Sequence, residues 1–155
     1  MSSNVSPVPA GYHSVTPYLL IGGASAAIDF YIKAFGAVEI LRLTAPDGRI
    51  GHAEIRIGDS QIMLADEHPE MDFLGPQSRG GTTVSMLLYV ADVDAVFARA
   101  IAAGAKELRP LCDQFYGDRS GAVTDPWGHV WSVASRIEEI TPEEIQHRFQ
   151  ELYGD

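Results

Sequence analysis

Apolar and polar positions along this chain follow two periods, and the same succession of periods occurs twice. "YLLI" (Tyr18–Ile21) and "VSMLLYV" (84–90) are short apolar runs of the kind a buried strand makes. Each leads into helical spacing: Ile28, Tyr31, Ile32 and Phe35 in the first half, Val93, Val96, Phe97, Ala100 and Ile101 in the second. Ser25 and Asp92 are the expected N-caps, because a short side-chain oxygen accepts a free backbone N–H at a helix start. Gly36 and Gly104 fall where a helix end favours a left-handed residue. A period of two then takes over. After the turn "APDGR" (45–49), Ala53, Ile55 and Ile57 alternate with Glu54 and Arg56. An apolar strand closes each half, at 61–65 and 130–134.

Sliding the chain over itself aligns the halves. An offset of 86 − 18 = 68 sets Leu19 and Leu20 over Leu87 and Leu88, and Gly36 over Gly104. Further on, an offset of 121 − 51 = 70 sets Gly51 and Gly58 over Gly121 and Gly128. The expected architecture is α+β: two tandem βαβββ modules, at 15–66 and 82–136. Residues 1–14 read as a flexible N-terminal segment, and 67–81, rich in Pro and Gly, as a linker. Residues 137–155 read as a C-terminal helix with Thr141 as N-cap, Pro142 in its first turn and Glu144 at the capping-box position. Ile145, Phe149 and Leu152 form its apolar stripe, which suits a packing helix; a flexible appendage is the alternative.

With 155 residues, 46% of them hydrophobic, the chain can bury a sizeable core. A net charge of −10 repels nucleic-acid phosphates and anionic lipid, so neither is an expected partner. Cys112 is the single cysteine, which excludes an intrachain disulfide and a thiolate metal cluster and suits a reducing cytoplasm. The start "MSSNVSPVPAGYHS" lacks the pattern of a signal peptide, and no run approaches the roughly 18 apolar residues a membrane span needs. No GxGxxG, Walker loop or GxSxG occurs, so nucleotide-binding and serine-hydrolase readings have no support.

Three places carry candidate chemistry. His52 and Glu54 share one face of a strand, where they form either a proton relay or ion site, or an exposed pair opposite the apolar face. In "CDQFYGDRSG" (112–121), Phe115 and Tyr116 offer flat apolar faces beside Asp113, Asp118 and Arg119. That mixture suits a pocket mouth for a planar ligand; an Asp118–Arg119 surface pair over a structural aromatic is the alternative. In "DPWGHVWSV" (125–133), Asp125 to Gly128 is turn chemistry, and strand alternation sets His129, Trp131 and Val133 against Val130 and Ser132. Tyr18, Tyr89, Met63 and Met86 are either cavity-lining or core residues, while His13, His68 and His147 read as surface. Nothing identifies an activating partner for Cys112, which reads as an inert thiol.

A duplicated βαβββ module with "IDFYIKAFGA" (28–37) in its first helix and "DPWGHVW" (125–131) before its last strand resembles the vicinal oxygen chelate superfamily, which includes glyoxalase I, extradiol dioxygenases, fosfomycin resistance proteins and bleomycin-binding proteins. The run 116–135 followed by "EEITPEE" (138–144) is most similar to the PhnB-like group. The resemblance implies sheets curled into a cup around a small molecule, and a homodimer that often swaps modules. It also implies divalent-metal ligands, usually His or Glu, on the first and last strands of each module. Those positions fall here on Thr16, Ile62 (with Met63 as the near alternative), Ser85 and Ser132. This set supplies neither imidazole nor carboxylate, so the expectation is a cup without a metal. If Ser132 faces the cup, Val130 does too, and His129 and Trp131 turn towards the helix layer.

Two readings follow from the resemblance. One is a metal-free protein that binds a small molecule, aromatic or cationic, through His52, Glu54, Phe115, Tyr116, Arg119 and Ser132. The other is a metal-dependent lyase, isomerase or dioxygenase whose ligands have moved to positions such as His52 and Glu54.

Overall fold

Backbone ladders sort the strands into two four-stranded sheets in the computed structural model, which describes residues 4–154. The first holds β1 (Tyr18–Ile21), β2 (Val38–Thr44), β3 (Ile50–Ile57) and β4 (Ser60–Asp66), with helix α1 (Ala24–Phe35) after β1. Its order is β1-β4-β3-β2, with β1 parallel to β4 and the other neighbours antiparallel. The segment after β4 makes a 3₁₀ turn at Pro69–Met71 and a single-turn helix, α2 (Pro76–Arg79). The second sheet repeats the plan with β5 (Ser85–Tyr89), α3 (Val93–Ala102), β6 (Lys106–Asp113), β7 (Asp118–Thr124) and β8 (Val130–Arg136), in the order β5-β8-β7-β6. Helix α4 (Pro142–Tyr153) follows. The tandem βαβββ architecture expected from the sequence is therefore the one observed, in two compact units that divide between Gly81 and Thr82.

In each unit the helix covers one face of its sheet and leaves the other open. Ile28, Phe30, Tyr31 and Phe35 of α1 are buried, as are Leu19, Ile21, Ile55 and Leu64 on the strands. In the second unit, Val93, Val96, Phe97 and Ala100 of α3 are buried with Val123, Trp131 and Val133. At roughly 25 cal/mol per Å² of apolar surface, burial of these faces is the main force holding each helix to its sheet.

Caps were legible only where they are local. Asp92 caps α3 as expected, its carboxylate accepting from Ala95 N at 3.1 Å. Thr141 caps α4, accepting from Glu144 N at 3.1 Å. Gly36 ends α1 in the left-handed conformation, whereas α3 ends on right-handed Ala103, one residue before Gly104. Ser25 is not the N-cap of α1. That position is Gly23, and the acceptor is Asp66 at the end of β4, whose Oδ1 receives Gly23 N at 3.0 Å and Ala24 N at 2.8 Å. Its Oδ2 receives Ile50 N at 2.6 Å, so one carboxylate ties the helix start to two strands. A cap brought from over 40 residues away lies beyond any local sequence rule.

Strand parity corrects the self-overlay. Leu19 is 5% exposed on the helix side, but Leu87, set over it at an offset of 68, is 52% exposed on the open side. Successive strand residues point to opposite faces, so an even offset wrong by one exchanges the faces. Pairing with the last strand gives the true match: Tyr18 stands beside Met63, and Leu87 beside Ser132.

The "DPWGHVW" stretch is held by Asp125. Its buried carboxylate receives Trp127 N, His129 N and the Trp131 Nε1 proton, each at 3.0 Å. Trp131 is 1% exposed on the helix side, with His129 also buried, as strand alternation predicts. Helix α4 buries no residue completely. Arg148 ties it to the rest of the second unit, donating to the Phe115 carbonyl at 3.1 Å and pairing with Glu138, and it also pairs with Glu144 one turn back in the same helix.

Candidate functional site

Period-two alternation on β3 puts His52, Glu54 and Arg56 on the open face of the first sheet, because Ala53, Ile55 and Ile57 fill the helix side. Cross-strand register then assembles a row: Leu41 of β2 beside Glu54, Glu54 beside Met63 of β4, Met63 beside Tyr18 of β1. His52 Nε2 lies 3.6 Å from Glu54 Oε2, and His52 Nδ1 is hydrogen-bonded to the Tyr18 hydroxyl at 2.8 Å. The Tyr18 and His52 rings stand 5.5 Å apart. Tyr12, from the irregular segment before β1, donates its hydroxyl proton to Glu54 Oε1. Tyr12 was not legible as a site residue, since an irregular stretch carries no periodicity to aim a side chain.

The local electrostatics keep both phenols protonated. Burial, then the hydrogen bond to the Glu54 carboxylate and its charge, push the Tyr12 phenol up to about 12. Burial and the same charge raise Tyr18. The face thus offers one carboxylate, an imidazole, two neutral phenols and a thioether, with the exposed Arg56 two residues beyond Glu54 on the same side of β3. A carboxylate beside aromatic rings attracts an organic cation by charge and by ring quadrupole together.

The metal positions expected from the resemblance resolve differently. Ile62 is 4% exposed on the helix side and cannot face a ligand there, so Met63 holds that place. Thr16 is half-buried, Ser85 is exposed, and Ser132 is half-buried on the open face of the second sheet. A thioether and three hydroxyls do not fit a hard or borderline divalent ion, which needs carboxylate or imidazole donors. Among the described residues, no three His, Cys, Asp or Glu side chains gather into a metal-binding group.

The second sheet places the remaining candidates in separate surroundings. Ser132 pairs with Leu87 on one side and Ala122 on the other, and Ala122 pairs with Arg109. Above this row is an open cavity of about 340 Å³ that Tyr116 and Cys112 also line. Tyr116 and Ser132 therefore meet, but Phe115 and Arg119 do not join them there. Phe115 turns to α4, its ring 5.9 Å from Phe149 and 6.4 Å from Tyr153. Arg119 makes a bidentate pair with Asp94 at 2.9 and 3.0 Å and reaches Asp113 at 3.1 Å. The alternative Asp118–Arg119 surface pair does not form. Asp118 is buried and accepts from the Tyr89 hydroxyl at 2.7 Å, which raises that phenol. Cys112 is exposed, with Gln114 Nε2 donating to its sulfur at 3.1 Å. Met86 is half-buried. His13 and His147 are exposed, and His68 is half-buried with Nδ1 3.5 Å from Glu70.

Comparison with known proteins agrees with the fold. Residues 13–133 match the model of the Glyoxalase/Bleomycin resistance protein/Dioxygenase superfamily. The Mycobacterium bovis protein Mb0911c is 45% identical over 149 residues, covering 94% of each chain. The Arabidopsis thaliana protein At5g48480 is 31% identical over 124 residues, covering 76% of this chain and 74% of its own. Among solved structures, TioX from Micromonospora sp. ML1 superposes with a TM-score of 0.63 at 29% identity, over 83% of this chain and all of its own. The PhnB protein of Bacillus cereus shares the fold, with a TM-score of 0.62 at 20% identity over 79% of this chain and 99% of its own.

Proposed function

The chain belongs to the glyoxalase/bleomycin resistance protein/dioxygenase superfamily, and from that membership we propose that it binds a small planar organic cation on the open face of the first sheet, without a divalent metal. One observation carries the reading: the Glu54 carboxylate lies between Tyr12 and the His52–Tyr18 pair, while the superfamily's metal positions hold Thr16, Met63, Ser85 and Ser132. Glu54 supplies the counter-charge and the Tyr12 and Tyr18 rings supply flat apolar surface. Met63 adapts to the ligand's outline, as flexible thioethers do. The chain's net charge of −10 favours a cation at longer range.

No helix among the described residues is long and apolar enough to cross a membrane. A homodimer belongs to the same proposal. Strand β2, at the edge of its sheet, exposes Val38, Ile40, Leu41 and Leu43, an apolar surface that a second copy would cover.

The test begins with protein purified without chelator or affinity tag. Its metal content is measured, Ni, Zn, Mn and Fe(II) are titrated by calorimetry, and proflavine is then titrated as a planar cation. The expected result is no stoichiometric metal, and proflavine binding that Glu54→Gln weakens by about tenfold, the scale of one desolvated charge contact. One tight ion per chain, lost in both His52→Ala and Glu54→Gln, would overturn this reading. It would favour a metal enzyme built on the 3.6 Å His52–Glu54 pair.

A further inference from the structure

The two sheets repeat one topology, yet one pair of matching rows on their open faces carries different chemistry. In the first sheet, the row Tyr18–Met63–Glu54–Leu41 has its carboxylate on β3. In the second, the equivalent row Leu87–Ser132–Ala122–Arg109 has no carboxylate, and a guanidinium stands at its end on β6. We propose that the open cavity of the second unit is a binding site for a small carboxylate with a flat apolar body, gripped by Arg109.

Three observations carry this. The cavity, about 340 Å³, is of the size that holds small organic ligands, and Arg109 lines it together with Leu87, Cys112, Tyr116, Ser120 and Ser132. Arg109 is also unengaged. The exposed side chain of Arg109 has no hydrogen bond or ion pair with any described residue, as is true also of Arg56, Arg99 and Arg136, and of these four only Arg109 lines the cavity. Finally, the backbone is bent to present it. The β6–β7 ladder breaks register between Glu107 and Arg109 and again between Arg109 and Cys112, with Pro110, which has no N–H to donate, in the second break. Such irregularities re-aim a side chain out of the regular pleat.

The chemistry of the lining defines the ligand. A planar guanidinium offers two parallel N–H donors that match the two oxygens of a carboxylate. The hydroxyls of Ser120 and Ser132 provide further donors, and Leu87 and the Tyr116 ring provide apolar surface for a flat body. This site rests on none of the residues proposed to hold a cation on the first sheet, so either can fail alone.

The test uses 2-naphthoate as probe, with 2-naphthamide as its neutral counterpart and acetate as the carboxylate without a body. Binding is read by calorimetry and, independently, by the rate at which iodoacetamide alkylates Cys112, the single cysteine. The expected result is that naphthoate binds at least about tenfold more tightly than naphthamide or acetate, and slows alkylation of Cys112. Arg109→Gln, with far-UV circular dichroism unchanged, abolishes both effects. Arg109→Lys retains part of the binding, since an ammonium keeps the charge without the fork. Glu54→Gln leaves both effects intact. Equal binding of naphthoate and naphthamide, undiminished binding by Arg109→Gln, or no binding and no protection at about 10 mM naphthoate would each overturn the proposal.

Discussion

Gly51 and Gly121 align in the sequence overlay, but strand pairing gives Gly121 the place that Ala53 holds in the first sheet, and replacing each glycine with alanine has a different expected effect. A Cβ built on Gly121 lies 2.9 Å from Phe97 Cε2, 3.1 Å from the Arg109 carbonyl oxygen and 3.1 Å from Leu111 N. Phe97 is buried, and the two backbone atoms belong to the irregular stretch of β6, so neither side yields freely. A Cβ on Gly51 meets only the Leu43 carbonyl oxygen, at an ordinary 3.7 Å. Overpacking of this kind costs about 1–3 kcal/mol. Against it, alanine loses less backbone entropy on folding than glycine, worth roughly 0.4–1 kcal/mol. The balance predicts that Gly121→Ala destabilises by about 1–2 kcal/mol and that Gly51→Ala is neutral or stabilises by a few tenths. Urea unfolding followed by far-UV circular dichroism measures both. Tryptophan fluorescence adds a local report, because Trp127 and Trp131, the only two tryptophans, both lie in the second unit. If Gly121→Ala loses no more stability than Gly51→Ala, the close approach of β6 to β7 is not a constraint and the reasoning fails.

Three further outcomes follow from the same geometry. Asp66→Ala removes three backbone hydrogen bonds, two of them at the start of α1, and is expected to cost about 2–4 kcal/mol by urea unfolding. Ultraviolet difference titration should show one tyrosine ionising near pH 12, and Glu54→Gln should bring it down towards the ordinary value of 10.0. Because folding raises this phenol, its contribution to stability is complete below about pH 10 and is lost as the pH rises through about 12, so Tyr12→Phe should flatten the stability profile in that window. Arg148→Ala frees α4 from the Phe115 carbonyl and from Glu138 and removes the intrahelical pair with Glu144, and hydrogen exchange of amides 142–153 should accelerate while that of β7 and β8 stays unchanged.

The sequence alone determined what depends on local period and local capping. Alternation of Ala53, Ile55 and Ile57 against His52, Glu54 and Arg56 fixed which side of β3 is wet, because a strand can bury only one of its two sets. Helical spacing fixed α1 and α3, and Asp92 and Thr141 marked the starts of α3 and α4, because each cap lies within one turn of its partner. The "DPWGHVW" signature and the repeat gave the superfamily. Contacts between distant parts of the chain were decided by the tertiary structure. Asp66 caps a helix 43 residues away from it, and Tyr12 reaches Glu54 across 42 residues. Tyr116 and Arg119, three residues apart, go to different environments because the chain turns between them. Register, too, was a tertiary matter: whether Ile62 or Met63 faces a ligand depends on a single-residue offset, which only pairing with β1 and β3 resolves. Hydrophobic period says which residues leave water; it carries no record of which partner they meet.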